Sequence, residues 1–497
     1  MGIIRKQSIY SSIFTYLGFA IGGLNFFILF PHFLTNEQIG LSRLLLDFGM
    51  LFAAVCTFGS MPIIYKFYPF YKSYLPDKKN DLPFVTILLT LVGTVIFLWA
   101  TIYFKDFILR KFGARSPLFL PYYDLIYPIT ISLAILNLAE AYAWSLRRTV
   151  ISNFLKEVGF RLITSLLLAF LIFKWINIHE FFIGYSFIYF PAGFILITVF
   201  RKAGQLPLNF SFSNLTKRIY KKIFAFSMFI YAGQLLNVVS RTIDGIIISS
   251  QSLKGLVDVA VFTYATYFIS IMEVPQRSMT SIATPIIAEA WKNKDLGKIK
   301  ELYQKTSLNL LIAGLGIWGL CMVNMNSAIA YLGPEYSPMK TIVLIMGIAK
   351  LVDLGTGMNS QILILSKYWK LDFASNTLFV LFAIPLNYFL IRRFGVIGSA
   401  WANFIGFLAL NVARYLFIMK AYRLQPFTAK TATVILIAGI VTLLCYLLPF
   451  MGNIYLDVAV RSTLFAAIFI PLILRFNVSE DFSALFAGIM QKIRTGR

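Results

Sequence analysis

Apolar residues run along this chain in long blocks, not at the alternating period of a soluble strand or the one-faced period of a surface helix. A helix needs about 20 predominantly apolar residues to cross a hydrocarbon core. Fourteen windows of that kind can be marked off, the first six at 10–33, 39–64, 83–104, 121–144, 155–174 and 179–200. Eight more follow at 223–250, 257–289, 307–332, 341–365, 371–391, 396–419, 430–449 and 455–475. The connections are too short to hold a soluble domain. The pattern predicts an all-α, polytopic membrane protein of about 14 transmembrane helices.

Short matches between the halves predict a duplication. Tyr16-Leu17-Gly18 matches Tyr231-Ala232-Gly233, and Pro62-Ile63-Ile64 matches Pro285-Ile286-Ile287. Phe112-Gly113 followed by Ser116-Pro117 returns as Leu332-Gly333 followed by Ser337-Pro338. The three matches keep one order and nearly one offset. Six windows per half start both halves on the same side of the membrane, which is a parallel repeat of the kind transporters use. The expected organisation is a six-helix bundle over 1–203, a basic cytoplasmic linker over 204–222, a second six-helix bundle over 223–425, and two extra C-terminal helices with a tail over 426–497.

Composition narrows the class. Hydrophobic residues make up 59% of the chain and charged ones 13%, about half the charge of an ordinary soluble domain. The net charge of +24 invites a nucleic-acid reading, but the positive residues alternate from one connection to the next, as they do when charge encodes orientation. One side collects Arg5 and Lys6, then Lys66, Lys72, Lys78 and Lys79, then Arg147, Arg148, Lys156 and Arg161, and the basic run from Arg201 to Lys222. Corresponding connections in the second half, and the tail with Lys492, Arg494 and Arg497, continue the bias. Both termini are thus expected in the cytoplasm, with no nucleic-acid partner. The apolar run after Lys6 continues without a small-residue cleavage site, so it reads as a retained span.

Lys105, Arg110, Lys111 and Arg115 fall on the opposite side, where FKDFILRKF puts Phe104, Phe107, Ile108 and Phe112 at helical spacing. A short helix lying in the outer interface is expected there. Cys56, Cys321 and Cys445 stand alone in apolar windows, and His32 and His179 are far apart. Neither a disulfide framework, a metal site nor a catalytic histidine is expected, and no cofactor motif is present. There is no P-loop and no HExxH, so an enzyme is not expected.

Charge inside a membrane span is costly and marks function by default. Ten such groups lie in or near window interiors: Arg43, Asp47, Glu140, Arg241, Asp244, Glu273, Arg277, Lys350, Asp353 and Arg414. Eight form opposite-charge pairs one helical turn apart, at i,i+4 (Arg43/Asp47, Glu273/Arg277) or i,i+3 (Arg241/Asp244, Lys350/Asp353). Each pair can simply neutralise itself within its helix. The alternative is that Arg43, Arg241 and Arg277 line a cavity as a ladder of guanidiniums, which grip phosphate oxygens in a fork. Asp47, Asp244, Glu273 and Asp353 are then candidates for binding a driving cation or proton. Asn25, Gln234 and Asn237 add polar groups that either touch cargo or bond neighbouring helices. Pro62, Pro275 and Pro285 can bend their helices.

Several segments also resemble a known family. Tyr331-Leu332-Gly333-Pro334-Glu335-Tyr336 resembles the outer loop of polysaccharide transporters within the multidrug/oligosaccharidyl-lipid/polysaccharide exporter superfamily. Pro385-Leu386-Asn387-Tyr388 with the run Arg393 to Ala402 is similar to a second segment of that branch, and Leu34 to Gly40 to the turn before span 2. The resemblance implies two six-helix bundles around a central cavity lined by spans 1, 2, 7 and 8, open alternately to each side. It implies a flippase that moves a polyprenyl-pyrophosphate-linked oligosaccharide to the outer leaflet of the inner (plasma) membrane for surface polysaccharide assembly. The partners it implies are that lipid-linked glycan, the bilayer, and a glycan polymerase or glycosyltransferases, with spans 13 and 14 offering a groove for the polyprenyl tail. The alternative within the superfamily is a cation-coupled multidrug or metabolite exporter.

Overall fold

The fold was taken from a computed structural model that describes residues 2–76, 79–146, 148–204 and 209–483. Lys78, Arg147, Lys492, Arg494 and Arg497, named above for orientation, lie outside the described residues. Side chains are described from residue 13 onward, so those of Arg5 and Lys6 are also outside. Every regular element among the described residues is helical, as expected where each backbone donor must be satisfied within its own segment. Two units divide the chain, Met1–Ala260 and Val261–Arg497. The first therefore takes in the seventh window, which the repeat assigns to the second bundle.

In the first unit, α1 (Gly2–Leu24) passes through a π-helical turn, Asn25–Leu29, into α2 (Phe30–Phe33). Next come α3 (Asn36–Thr57), α4 (Ser60–Tyr74), α5 (Leu82–Tyr103) and the short α6 (Lys105–Gly113). A 3-10 segment, Pro117–Leu125, leads to α7 (Ile126–Ser145). Then α8 (Thr149–Phe154) runs through a second π-helical turn, Leu155–Gly159, into α9 (Phe160–Ile172). After α10 (Ile178–Ser186) and α11 (Phe190–Lys202), α12 (Asn214–Gln251) closes the unit, with the first turn of α13 (Leu256–Lys292). α3 is central and packs on α5, α7 and α12.

In the second unit α13 continues to Lys292, unbroken at Pro275 and Pro285. It is followed by α14 (Leu296–Val323), α15 (Met325–Leu332), a 3-10 turn at Pro334–Tyr336, α16 (Pro338–Gly355) and α17 (Asn359–Ile364). α18 (Trp369–Phe394), α19 (Val396–Tyr422), α20 (Ala429–Tyr446) and α21 (Ile454–Arg475) follow. α16 lies between α14 and α19, and α20 packs on both α14 and α21. Each unit repeats one order: a long helix, a short one (α6 or α15), a 3-10 turn, then another long helix. The Ser-Pro dipeptides of the sequence repeat stand at different steps of that order: Ser116 caps the 3-10 segment Pro117–Leu125, whereas Ser337 caps the long helix α16.

Twelve helices among the described residues are long and apolar enough to cross a membrane. The two remaining windows, 155–174 and 341–365, are helical but interrupted. The first holds the π turn, which includes Lys156 and Glu157 and is followed by Arg161, and the second breaks at Gly357, where φ is +58°. Window 39–64 is also two helices. Phe58 (φ 40°) and Gly59 (φ 78°) are left-handed, which ends α3 and starts α4. The expected short helix near FKDFILRKF is α6, with Phe112 buried against Phe48 and Phe119.

The motif glycines have local reasons. Gly333 takes φ 118° at the end of α15 and opens the 3-10 turn that buries Tyr336 edge-on against Tyr264. Gly395 at φ 61° reverses the chain between α18 and α19, and Gly398 sits so close to the Leu390 carbonyl that a Cβ has no room.

Candidate functional site

In the first unit, a capping box starts α3: the Gln38 amide N–H donates to the Thr35 hydroxyl and the Thr35 N–H donates to the Gln38 side chain. Within α3, Arg43 and Asp47 stand one turn apart and meet, Nε to Oδ1, at 3.0 Å. Asp47 is fully buried, whereas the Arg43 side chain keeps 30% of its surface exposed. Asp244 on α12 is buried and lies within electrostatic reach of Arg43. Gly245, next to it, lets α12 seat directly on the Asp47 carboxylate, because a Cβ there would overlap Oδ2. The Tyr185 hydroxyl from α10 faces the same group beside Ser42. Three helices thus converge on one cation and two carboxylates.

Gln234, Asn237, Arg241 and Asp244 follow one another at steps of three, four and three, so they form one polar stripe along α12. Asn237 and Arg241 are exposed, Gln234 is half-buried and Asp244 is buried. Asn25 is different. It is buried, its amide donates to the Arg161 carbonyl on α9 at 3.0 Å, and it accepts from the Ser165 hydroxyl at 2.7 Å.

The second unit carries a longer chain of charges. Glu273 and Arg277 on α13 pair at 3.1 Å, with side chains 37% and 59% exposed. Lys350 on α16, only 9% exposed, lies 2.9 Å from Asp353 and 3.8 Å from Glu273. Gln276 braces the pair, accepting from Lys350 at 2.7 Å and donating to Asp353 at 3.0 Å. The expected pairs Glu273/Arg277 and Lys350/Asp353 are therefore formed, and Lys350 links them across two helices. Farther along, Arg414 on α19 is buried against Asp372 at 2.8 Å and Asn376 at 3.1 Å, both on α18.

Each of Asp47, Glu273, Asp353 and Asp372 thus has a resident cationic side chain. No group of three or more metal-binding side chains occurs among the described residues. The three cysteines are free thiols.

Three charged features escaped the sequence reading. Arg161, assigned to a cytoplasmic connection, sits in α9 against α1. It pairs with Glu157 at 3.0 Å, stacks on Phe160, and fills the notch left by Gly18 and Gly22. Asp372 stands at the very start of window 371–391, beside Lys367 and Lys370, where a charge is ordinary. Asp457 and Arg461 in α21 are both buried and pair at 2.8 Å. The i,i+4 spacing inside an apolar window that flagged Arg43/Asp47 also marks Asp457/Arg461.

Between α20 and α21 runs an apolar cleft of about 330 Å³, lined by Thr433, Leu436, Ile437, Ile440, Leu472 and Phe476.

No family model matches the chain, and no curated protein matches it by sequence. Solved structures do match. One is the lipid II flippase MurJ in an inward closed conformation, with a TM-score of 0.73 at 16% identity, covering 94% of this chain and 98% of that one. An inward-facing multidrug resistance MATE family transporter of the MOP superfamily matches with a TM-score of 0.61 at 15% identity, over 83% of this chain and 93% of its own. The MATE multidrug transporter DinF-BH matches with a TM-score of 0.54 at 15% identity, over 84% and 95%. At such identities the likeness is one of fold. The chain is a multi-pass membrane protein whose fold is shared by the lipid II flippase MurJ and by MATE family transporters.

Proposed function

We propose that this protein is a flippase for a polyprenyl-pyrophosphate-linked oligosaccharide, moving it from the cytoplasmic to the outer leaflet of the plasma membrane for surface polysaccharide assembly. The observation that carries the reading is the apolar cleft between α20 and α21, on a chain that a lipid II flippase matches over 94% of its length. A soluble cargo has no use for an apolar groove; a polyprenyl tail does. In this reading both termini are cytoplasmic, and α20 and α21 hold the tail while the headgroup passes by alternating access. Arg43 and Arg241 in the first unit, and Arg277 in the second, are each candidates for gripping phosphate, since a guanidinium stays charged at any depth and binds phosphate through paired N–H donors. Gln234 and Asn237 extend the same α12 stripe toward the sugars. A glycan polymerase or glycosyltransferases act on the cargo before and after transfer.

The test is to delete the gene and extract the lipids. A polyprenyl-linked repeat unit should accumulate on the cytoplasmic leaflet, and surface polymer should fall. Arg241→Ala and Arg277→Ala chains should insert normally yet fail to restore the polymer. Normal polymer in the deletion strain, together with sensitivity to cationic dyes, would instead select the cation-coupled exporter.

A further inference from the structure

Arg277, Glu273, Lys350 and Asp353 alternate in sign along one line through two helices. The carboxylate of Glu273 is divided: Oε2 meets Arg277 at 3.1 Å, and Oε1 faces Lys350 at 3.8 Å, beyond hydrogen-bond distance. Lys350 is the buried member, held by Asp353 at 2.9 Å and Gln276 at 2.7 Å. Arg277 is the exposed end. At the far end, Asp353 lies in the last turn of α16, just before the break at Gly357. Across that break the Thr356 hydroxyl and the Asn359 amide both donate to the Asn411 side-chain oxygen on α19, at 3.1 and 2.9 Å.

The geometry points to Lys350 as the positioning residue that couples anion binding at Arg277 to the α16–α17 break; this rests on the cargo reading above. A phosphate carries more charge than a carboxylate and matches the guanidinium fork, so it displaces Glu273 from Arg277. A half-buried carboxylate deprived of its cation is costly, and Lys350 is the cation already facing its free oxygen. Glu273 closes on Lys350, Lys350 is drawn from Asp353, and the last turn of α16 loses its internal counter-charge. Lys350 is thus a two-position element, biased at one end by cargo and at the other by the helix break, which is what coupling between separate sites requires. Lys350 never touches the cargo.

The experiment is hydrogen exchange on the purified full chain in nanodiscs, with sodium pyrophosphate as the probe and sodium chloride at matched ionic strength as the control. In the native chain pyrophosphate should slow exchange around 273–280 of α13 and alter it by about fivefold or more around 353–359. Lys350→Met should keep the α13 response at a similar half-saturation and lose the response at 353–359. Lys350→Arg, which keeps the charge, should restore it. If Lys350→Met folds poorly, Lys350→Met with Asp353→Asn leaves no unpaired buried charge and should behave the same way. A response at 353–359 that persists without Lys350, or a native chain that responds on α13 alone, overturns the coupling and leaves the cargo reading standing. A native chain silent at both helices removes the anion site at Arg277, and both readings fall.

Discussion

Arg461 shows how a charge can be fully structural. Its Nε holds Asp457 at 2.8 Å, and its two Nη groups donate to the carbonyls of Cys445, Tyr446, Leu448 and Pro449 at 2.8, 3.2, 2.6 and 3.4 Å. Those carbonyls belong to the end of α20 and the residues just beyond it, so one guanidinium satisfies acceptors that no helix turn can reach. Ser327 completes the site with a hydrogen bond to Asp457. Arg461→Ala strands a buried carboxylate, and a loss of about 3–5 kcal/mol is expected, read as a lower midpoint of thermal unfolding. Gly245 is the opposite case, a residue whose value is its missing side chain. Gly245→Ala forces either Asp47 or α12 to move, at about 1–3 kcal/mol, and should weaken the Arg43–Asp47 pair it abuts. The spacing of Arg43 and Asp47 was legible in the chain because i,i+4 partners are local. The role of Gly245 was not, since nothing in its own helix announces which carboxylate it will face.

At the scale of elements, α1 and α9 are tied through two π-helical turns. Asn25 opens the first, and Arg161 follows the second by two residues. A π turn inserts one residue and shifts the face of the helix beyond it, often where function requires. Here the shift leaves Asn25 buried against α9 and Arg161 lodged over Gly18 and Gly22. A Cβ on Gly22 lies 2.8 Å from the Arg161 Nε. Gly22→Val should therefore destabilise the native chain but cost much less where Arg161→Ala has emptied the notch. A double-mutant cycle by thermal unfolding should return a coupling of about 1 kcal/mol or more; additive effects would show that the notch does not serve Arg161. Hydropathy windows located both helices and missed both π turns, because the inserted residue changes the phase of the helix and not the average hydropathy of the window.

At the scale of the molecule, the cleft between α20 and α21 sets a prediction about chain length. Ile440→Trp adds bulk to its wall. In reconstituted vesicles it should slow flipping of a long polyprenyl-pyrophosphate glycan by about tenfold while sparing a short-chain analogue with the same sugars. Equal loss on both would place the tail elsewhere. The membrane class, the approximate number of spans and the charge pairs Arg43/Asp47, Glu273/Arg277 and Lys350/Asp353 could be read from order along the chain. Each depends on neighbours within a few residues, or on the thickness of a bilayer that every span must match. What only the folded chain decided was non-local: that Lys350 bridges Glu273 and Asp353, that Asp372 holds Arg414, and that Arg161 belongs to the interior of its unit rather than to a loop. The contacts between helices join consecutive ones in one case, α18 and α19, and distant ones in others, α13 with α16 and α1 with α9. Their geometry follows from how helices pack, where glycine allows close approach and where a helix breaks, and a linear pattern of polar and apolar residues does not encode which faces meet.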